Sequence, residues 1–199
     1  MARALQLAAL TVLLVTGCAT EGEHSASEYL DQKTGVTVRA SEAPLIYAHE
    51  MPEFAANVRD YLSIGAVEII NMSSRHHYLV CVSWSTVDRA RAGIGSAPIP
   101  ERLAWSAPGI TREYSPVSHD ARSLGVSEPQ FRPPSGYAGE SWYEVSPADL
   151  RSFATAAPGS ITLRSDAGTV NYVAWNSAIE PLRVFVRDLP DSQSSPSRH

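Results

Sequence analysis

His119 and Asp120 are neighbours, with Arg122 close behind, and a histidine oriented by a carboxylate is half of a general-base arrangement. A hydrolase built on this loop needs a nucleophile, yet no serine sits in a Gly-x-Ser-x-Gly frame. The pair therefore reads as a surface loop contact, and a hydrolase-like enzyme using His119 and Asp120 stands third among the functional readings. His76 and His77 are also adjacent, and consecutive strand residues point to opposite faces, so the two cannot chelate one ion from a strand. His49-Glu50 opens a zinc-protease pattern, but Glu53 occupies the position of the second histidine. Gly93-Ile94-Gly95 is followed by Ser96-Ala97-Pro98, which departs from both nucleotide-binding glycine patterns. The reading is of a non-enzymatic chain with no metal site and no cofactor.

A different chemistry is offered by Phe131-Arg132-Pro133-Pro134-Ser135-Gly136-Tyr137, followed closely by Trp142-Tyr143. Aromatic rings with arginine are common where one protein docks on another. Phe131, Arg132 and Tyr137 are accordingly the predicted contact residues. Trp142 and Tyr143 are read first as the start of a core strand.

The elements that must position these residues are mostly strands. Asp60 to Asn71 (DYLSIGAVEIIN) and His76 to Val87 (HHYLVCVSWSTV) flank the turn residues Asn71 to Arg75, which predicts a hairpin. Gly65, inside the first arm, marks an expected bulge. In the second arm Tyr78, Val80, Val82 and Trp84 share one face, and Leu79, Cys81, Ser83 and Ser85 share the other. The first set is strongly apolar and the second mixed, so a central strand covered on both faces is expected. Further strands are predicted at 34–39, 45–48, 102–106 and 109–114, with a second hairpin from 160–164 and 169–175 and a last strand over 182–187. Ser146-Pro147-Ala148-Asp149 is a helix start, with a capping serine, proline in the first turn and an acid beside it. That helix is expected to reach Ala156, and a second short one is expected over 51–59. The fold class that follows is mainly β, an antiparallel β-sandwich or alternatively a β-barrel, with one or two short helices.

The chain begins Met1-Ala2-Arg3, runs apolar from Leu5 to Val15, and closes on Val15-Thr16-Gly17-Cys18. Eleven residues are too few to span a bilayer but suit the core of an export signal. Small residues leading straight into a cysteine resemble the lipobox of bacterial lipoproteins, with Val15 where leucine is usual. The resemblance covers the first 18 residues, and the chain as a whole resembles the lipoproteins of Gram-negative bacteria. It implies that residues 1–17 are removed and that the Cys18 thiol receives a diacylglycerol. By the same resemblance Ala19, which is not aspartate, implies the outer membrane, with the protein facing the periplasm.

On this reading residues 18–27 form a flexible tether, 28–188 a single β-rich domain, and 189–199 a disordered tail. Loss of Arg3 with the signal takes the formal charge from −5 to −6. No Lys/Arg cluster of the kind nucleic acids require is present. Once Cys18 is acylated, Cys81 has no disulfide partner, and it reads as a small buried hydrophobe in Tyr78-Leu79-Val80-Cys81-Val82. The expected function is a lipid-anchored envelope module with an unidentified protein partner and no nucleic acid. A small-ligand binder with a pocket in the β domain is the alternative.

Overall fold

Two long arms organise the molecule, which is known here from a computed structural model. The structure describes residues 26–190 apart from 55–57, 73, 95–100, 108, 135–137, 157–158, 166–167 and 177. Strand β4 (Arg59–Asn71) pairs antiparallel with β5 (Ser74–Ser85) in unbroken register from Asp60↔Ser85 to Asn71↔Ser74. Before them come β1 (Ser27–Leu30), β2 (Thr37–Ala40) and β3 (Leu45–Glu50). After them come a helical turn, α1 (Arg89–Ala92), and strands β6 (Arg102–Ala107), β7 (Ile110–Tyr114) and β8 (Ala138–Glu144). Helix α2 (Pro147–Ala156), the hairpin β9 (Ser160–Ser165) and β10 (Gly168–Asn176), and helix α3 (Glu180–Arg187) complete the order. Across the sheet the strands run β8-β5-β4-β3-β10-β9-β6-β7, and β2, with β1 outside it, shares the edge of β4 with β3. The sheet curls into a half-barrel, and among the described residues strand outweighs helix, 49% against 17%, so the chain is mainly β and antiparallel as its alternation predicts.

The corner between β2 and β3 is stitched by one residue. Ser41 gives its backbone N–H to Ala66 O at 2.9 Å, and its Oγ accepts the Ala66 N–H at 3.1 Å. Backbone groups that the break would otherwise leave unpaired are satisfied in this way. Gly65 lies opposite Val80 without any register shift, so it is not the expected bulge. Its role is to admit a neighbour: a Cβ there would stand 2.1 Å from Cζ of Phe131.

Both faces of β5 are covered, as the paired apolar sets require. On the concave side Leu79 and Cys81 join Tyr47, Ile64, Trp105, Tyr143, Tyr172, Phe153 of α2 and Phe185 of α3. Burial pushes the Cys81 thiol well up, which leaves it an inert part of this core. On the convex side Val38, Val67, Tyr78, Val80, Val82 and Trp142 are roofed by Ala121, Val126 and Phe131 from the proline-rich loop that joins β7 to β8, which carries Pro116, Pro129, Pro133 and Pro134. Asp31 secures that roof, because its Oδ2 accepts the Ser127 N–H at 2.6 Å and its Oδ1 the Lys33 N–H at 3.0 Å. The hydrogen bond from Ser127 also holds the Asp31 carboxyl below its usual range.

Helix α2 begins where its capping residues place it, with the Asp149 N–H donating to Ser146 Oγ at 3.0 Å. Helix α3 corrects the strand expected over Leu182–Arg187. Alternation of Leu182, Val184 and Val186 competes with a second pattern, Leu182, Phe185, Val186 and Leu189, at i, i+3, i+4 and i+7. All four residues of the helical set are buried against the concave core, and Pro181 fits the first turn. A strand there would have turned the Phe185 ring away from that core. Leu189 is likewise a core residue rather than the first residue of a tail, and Arg151 donates to Leu189 O at 3.0 Å. The short helix expected over Met51–Arg59 is also corrected: Pro52–Phe54 form a turn, and strand pairing already begins at Glu50↔Arg59.

The end of α3 is latched to the sheet by Arg39. Its guanidinium donates to Phe185 O at 3.1 Å and Asp188 O at 3.4 Å, lies 4.8 Å over the Phe185 ring, and stands 3.6 Å from Glu68 Oε2. Glu68 is fully buried, with Arg75 at 2.9 Å and His77 Nε2 at 3.3 Å from Oε1. Burial opposes its ionisation, but His77 and Arg75 outweigh that cost and hold the carboxyl down to about 2.

The β4–β5 turn is costly in its own way. Asn71 and Ser74 pair directly, and Met72 between them has φ of 54°, a left-handed conformation that a long side chain rarely adopts. Replacing Met72 with asparagine, which tolerates that conformation, is expected to raise the unfolding free energy by about 0.5–1 kcal/mol. Urea titration of both proteins checks this, and an unchanged or lower midpoint would contradict it.

Candidate functional site

The roof over the convex face ends at Phe131, and the far half of that face carries a different set of residues. In register across β10, β3, β4 and β5 lie Val173, Ala48, Tyr61 and Trp84. Tyr61 and Trp84 stack with ring centres 4.2 Å apart and planes 13° from parallel. The Trp84 indole N–H donates to Ser63 Oγ at 3.0 Å, which fixes the ring and satisfies its polar atom.

Trp175 joins this pair through a bulge. Pairing of β10 with β3 passes from Ala174↔Tyr47 to Asn176↔Ile46, so Trp175 is the extra residue. A bulge re-aims a side chain, and here the indole lies 6.0 Å from the Tyr61 ring, edge to face. Ala48 is buried between the two strands, and its short side chain leaves room for that reach across β3. The Arg59 guanidinium stacks 4.8 Å over the Trp175 ring and donates from its edge to Glu50 Oε1, through Nε at 3.2 Å and Nη2 at 3.1 Å. Such a stack contributes about 0.5–1 kcal/mol at an exposed site. The result is an ordered aromatic platform that remains open: Val173 is 58% exposed and Trp175 54%. Phe54, also exposed, lies in the turn between β3 and β4 at the same end of the sheet.

The residues singled out by sequence fall elsewhere. Phe131 is buried against Gly65 and presents no contact surface. Arg132 is exposed and pairs with Glu128 at 3.3 Å. Tyr137 lies outside the described residues, immediately before Ala138, which pairs with Trp84. Cys18 lies outside them as well. Trp142 and Tyr143 are fully buried on opposite faces of β8.

His119 does meet a serine, with Nδ1 2.9 Å from Ser141 Oγ. Ser141 is completely buried, however, and the Asp120 carboxylate caps the Arg122 N–H at 3.0 Å. The pair pins the loop to β8, since a buried hydroxyl cannot meet a substrate. His76 and His77 take opposite faces, pairing with Glu144 at 3.0 Å and with Glu68. Among the described residues no cluster of three metal-ligating side chains occurs.

Two surface hollows are also present. One, of about 450 Å³, lies between the β1–β2 turn and Ser127–Gln130, and the other, of about 460 Å³, between α2 and α3 beside Arg151, Arg183 and Arg187. Both are open to solvent and bordered by charged side chains.

The platform was not legible beforehand. Its residues come from four strands, and the only local signal is that each ring has at least one polar neighbour in a strand segment, Asp60 for Tyr61, Ser83 and Ser85 for Trp84, and Asn176 for Trp175. No described helix is long and apolar enough to cross a membrane. Comparison with known proteins finds no matching family model, curated sequence or solved structure.

Proposed function

We propose that this chain is a lipid-anchored envelope protein whose β domain is a non-enzymatic docking module for a protein partner. Cys18 holds it to the outer membrane on the periplasmic side, and Val173, Trp175, Trp84 and Arg59 form the contact surface, with the buried Tyr61 ring supporting both tryptophans from beneath. The observation that carries this reading is the ordered yet open aromatic platform. Tryptophan, tyrosine and arginine are the residue types in which binding energy concentrates, and rings already fixed by stacking lose little freedom when a partner arrives. The concave face, where a barrel would hold a small ligand, is instead filled by Phe153, Tyr172 and Phe185. That filling favours a protein partner on the convex side over a ligand within the sheet.

Truncating the most exposed ring of the platform tests the reading. Trp175→Ala is expected to weaken partner binding at least about thirtyfold, the effect of losing an interface anchor worth about 2 kcal/mol. Folding stability should change little, because the ring is more than half exposed. The measurement is recovery of the crosslinked partner from intact envelopes together with the melting temperature. Undiminished recovery by a folded Trp175→Ala protein would contradict the proposal.

A further inference from the structure

We propose that the tip of the β4–β5 hairpin is a bilayer-contact surface, with Met72 and Leu30 entering the headgroup boundary of the membrane that holds Cys18. The inference rests on the anchored reading above and assigns the end of the domain that faces the lipid. Met72 is 98% exposed at the apex of a tight turn. It is long and apolar, and it occupies a left-handed backbone position where a small or polar residue would be less strained. Exposure of an apolar side chain together with backbone strain is costly twice over, and contact with lipid offsets the first cost.

The turn does not stand alone. Leu30 pairs with Thr37, and Thr37 pairs with Ile70, two residues before the apex. Leu30 is 59% exposed, and Tyr29 beside it is exposed as well. Arg75 at this end is paired with Glu68 and His76 is hydrogen-bonded to Glu144, while the exposed Lys33 of the β1–β2 turn has a stem long enough to keep its ammonium at headgroup level.

Chain length permits the contact. Nine residue steps separate Cys18 from Ser27, a reach of roughly 30 Å when extended. Ser27 is level with Ala40 and Val67, five residues short of Met72, or about 17 Å along the strand. The acylated cysteine and the turn can therefore share one bilayer surface. Tyr61 and the rest of the platform lie eleven residues from Met72 along β4, about 37 Å away, and would face the periplasm.

The test uses the full-length acylated chain in vesicles of phosphatidylethanolamine and phosphatidylglycerol. Met72→Cys carries an environment-sensitive fluorophore, and Val173→Cys carries the same probe on the platform. Cys81 is fully buried and the Cys18 sulfur is occupied by lipid, so each label goes to one place. The expected result is a blue shift at position 72 with severalfold quenching by spin-labelled lipid, and a water-like spectrum at position 173.

A water-like probe at 72 in a chain shown by intact mass to be acylated would overturn the docking surface and leave the anchor standing. A mature chain lacking the acyl mass would overturn the anchor and the docking surface with it. A blue shift at 72 that spin-labelled lipid fails to quench would mean that a second copy covers the tip, and would also overturn the proposal. Lipid quenching at 173 in place of 72 would reverse the orientation and do the same.

Discussion

Gly65→Ala is expected to lower folding stability by about 2–3 kcal/mol, although it adds a single methyl group in mid-strand. The added carbon would overlap the tip of the Phe131 ring, with contacts of 2.1, 2.3 and 2.7 Å. Phe131 must swing out, and the roof over Val38, Val67 and Val80 loses its central ring. Phe131→Ala alone should cost about 3–5 kcal/mol, as for other buried phenylalanines. The informative measurement is the double variant, because the new methyl then occupies part of the vacated space. Its loss is expected to fall well short of the sum of the two single losses, by about 1 kcal/mol or more in chemical denaturation. Simple additivity would contradict the proposed seating of Phe131 on Gly65.

Glu68→Ala is expected to be at least as damaging, at about 3–5 kcal/mol near neutral pH. Removing this carboxylate leaves Arg39 without its buried partner and takes from Arg75 the acid at 2.9 Å. The latch on α3 depends on the same arginine through Phe185 O and Asp188 O, so the end of that helix should loosen first. The sign with pH is fixed by the carboxyl being held at about 2 in the folded chain, below its ordinary value of 4.5. Stability from Glu68 is complete above pH 4.5 and is lost as pH falls from there toward 2, about 3 kcal/mol in all. Glu68→Gln should be less stable than the parent at pH 7 and should lack this part of the acid slope. Melting curves at pH 7 and pH 3 measure both, and equal stability of parent and variant at pH 7 would contradict the role given to the network.

These two sites show why some of the structure could be read from sequence and some could not. The β4–β5 hairpin was legible because Tyr78, Val80 and Val82 alternate cleanly with Leu79 and Cys81, and each set has a core of its own. Helix α2 was legible because its start depends on Ser146, Pro147 and Asp149, all local. Helix α3 was not, since Leu182, Val184 and Val186 satisfy one period while Leu182, Phe185 and Val186 satisfy another. Only the concave core decides between them. Phe131 sits beside prolines and an arginine, which is how a contact loop reads. What buries it is a glycine 66 positions earlier. The platform needed three long-range facts together: the register that aligns Val173, Ala48 and Tyr61, the bulge at Trp175, and a roof that stops at Phe131.

The central claim is that the domain meets its partner through the platform rather than through the proline-rich loop. A photo-crosslinking residue placed singly at Val173 or at Arg132, in cells, separates the two surfaces directly. Both positions are exposed, one on the platform and the other on the loop. The account predicts a discrete adduct from position 173 that disappears in the Trp175→Ala background, and none from position 132. An adduct from 132 with none from 173, or no adduct from either, would contradict it.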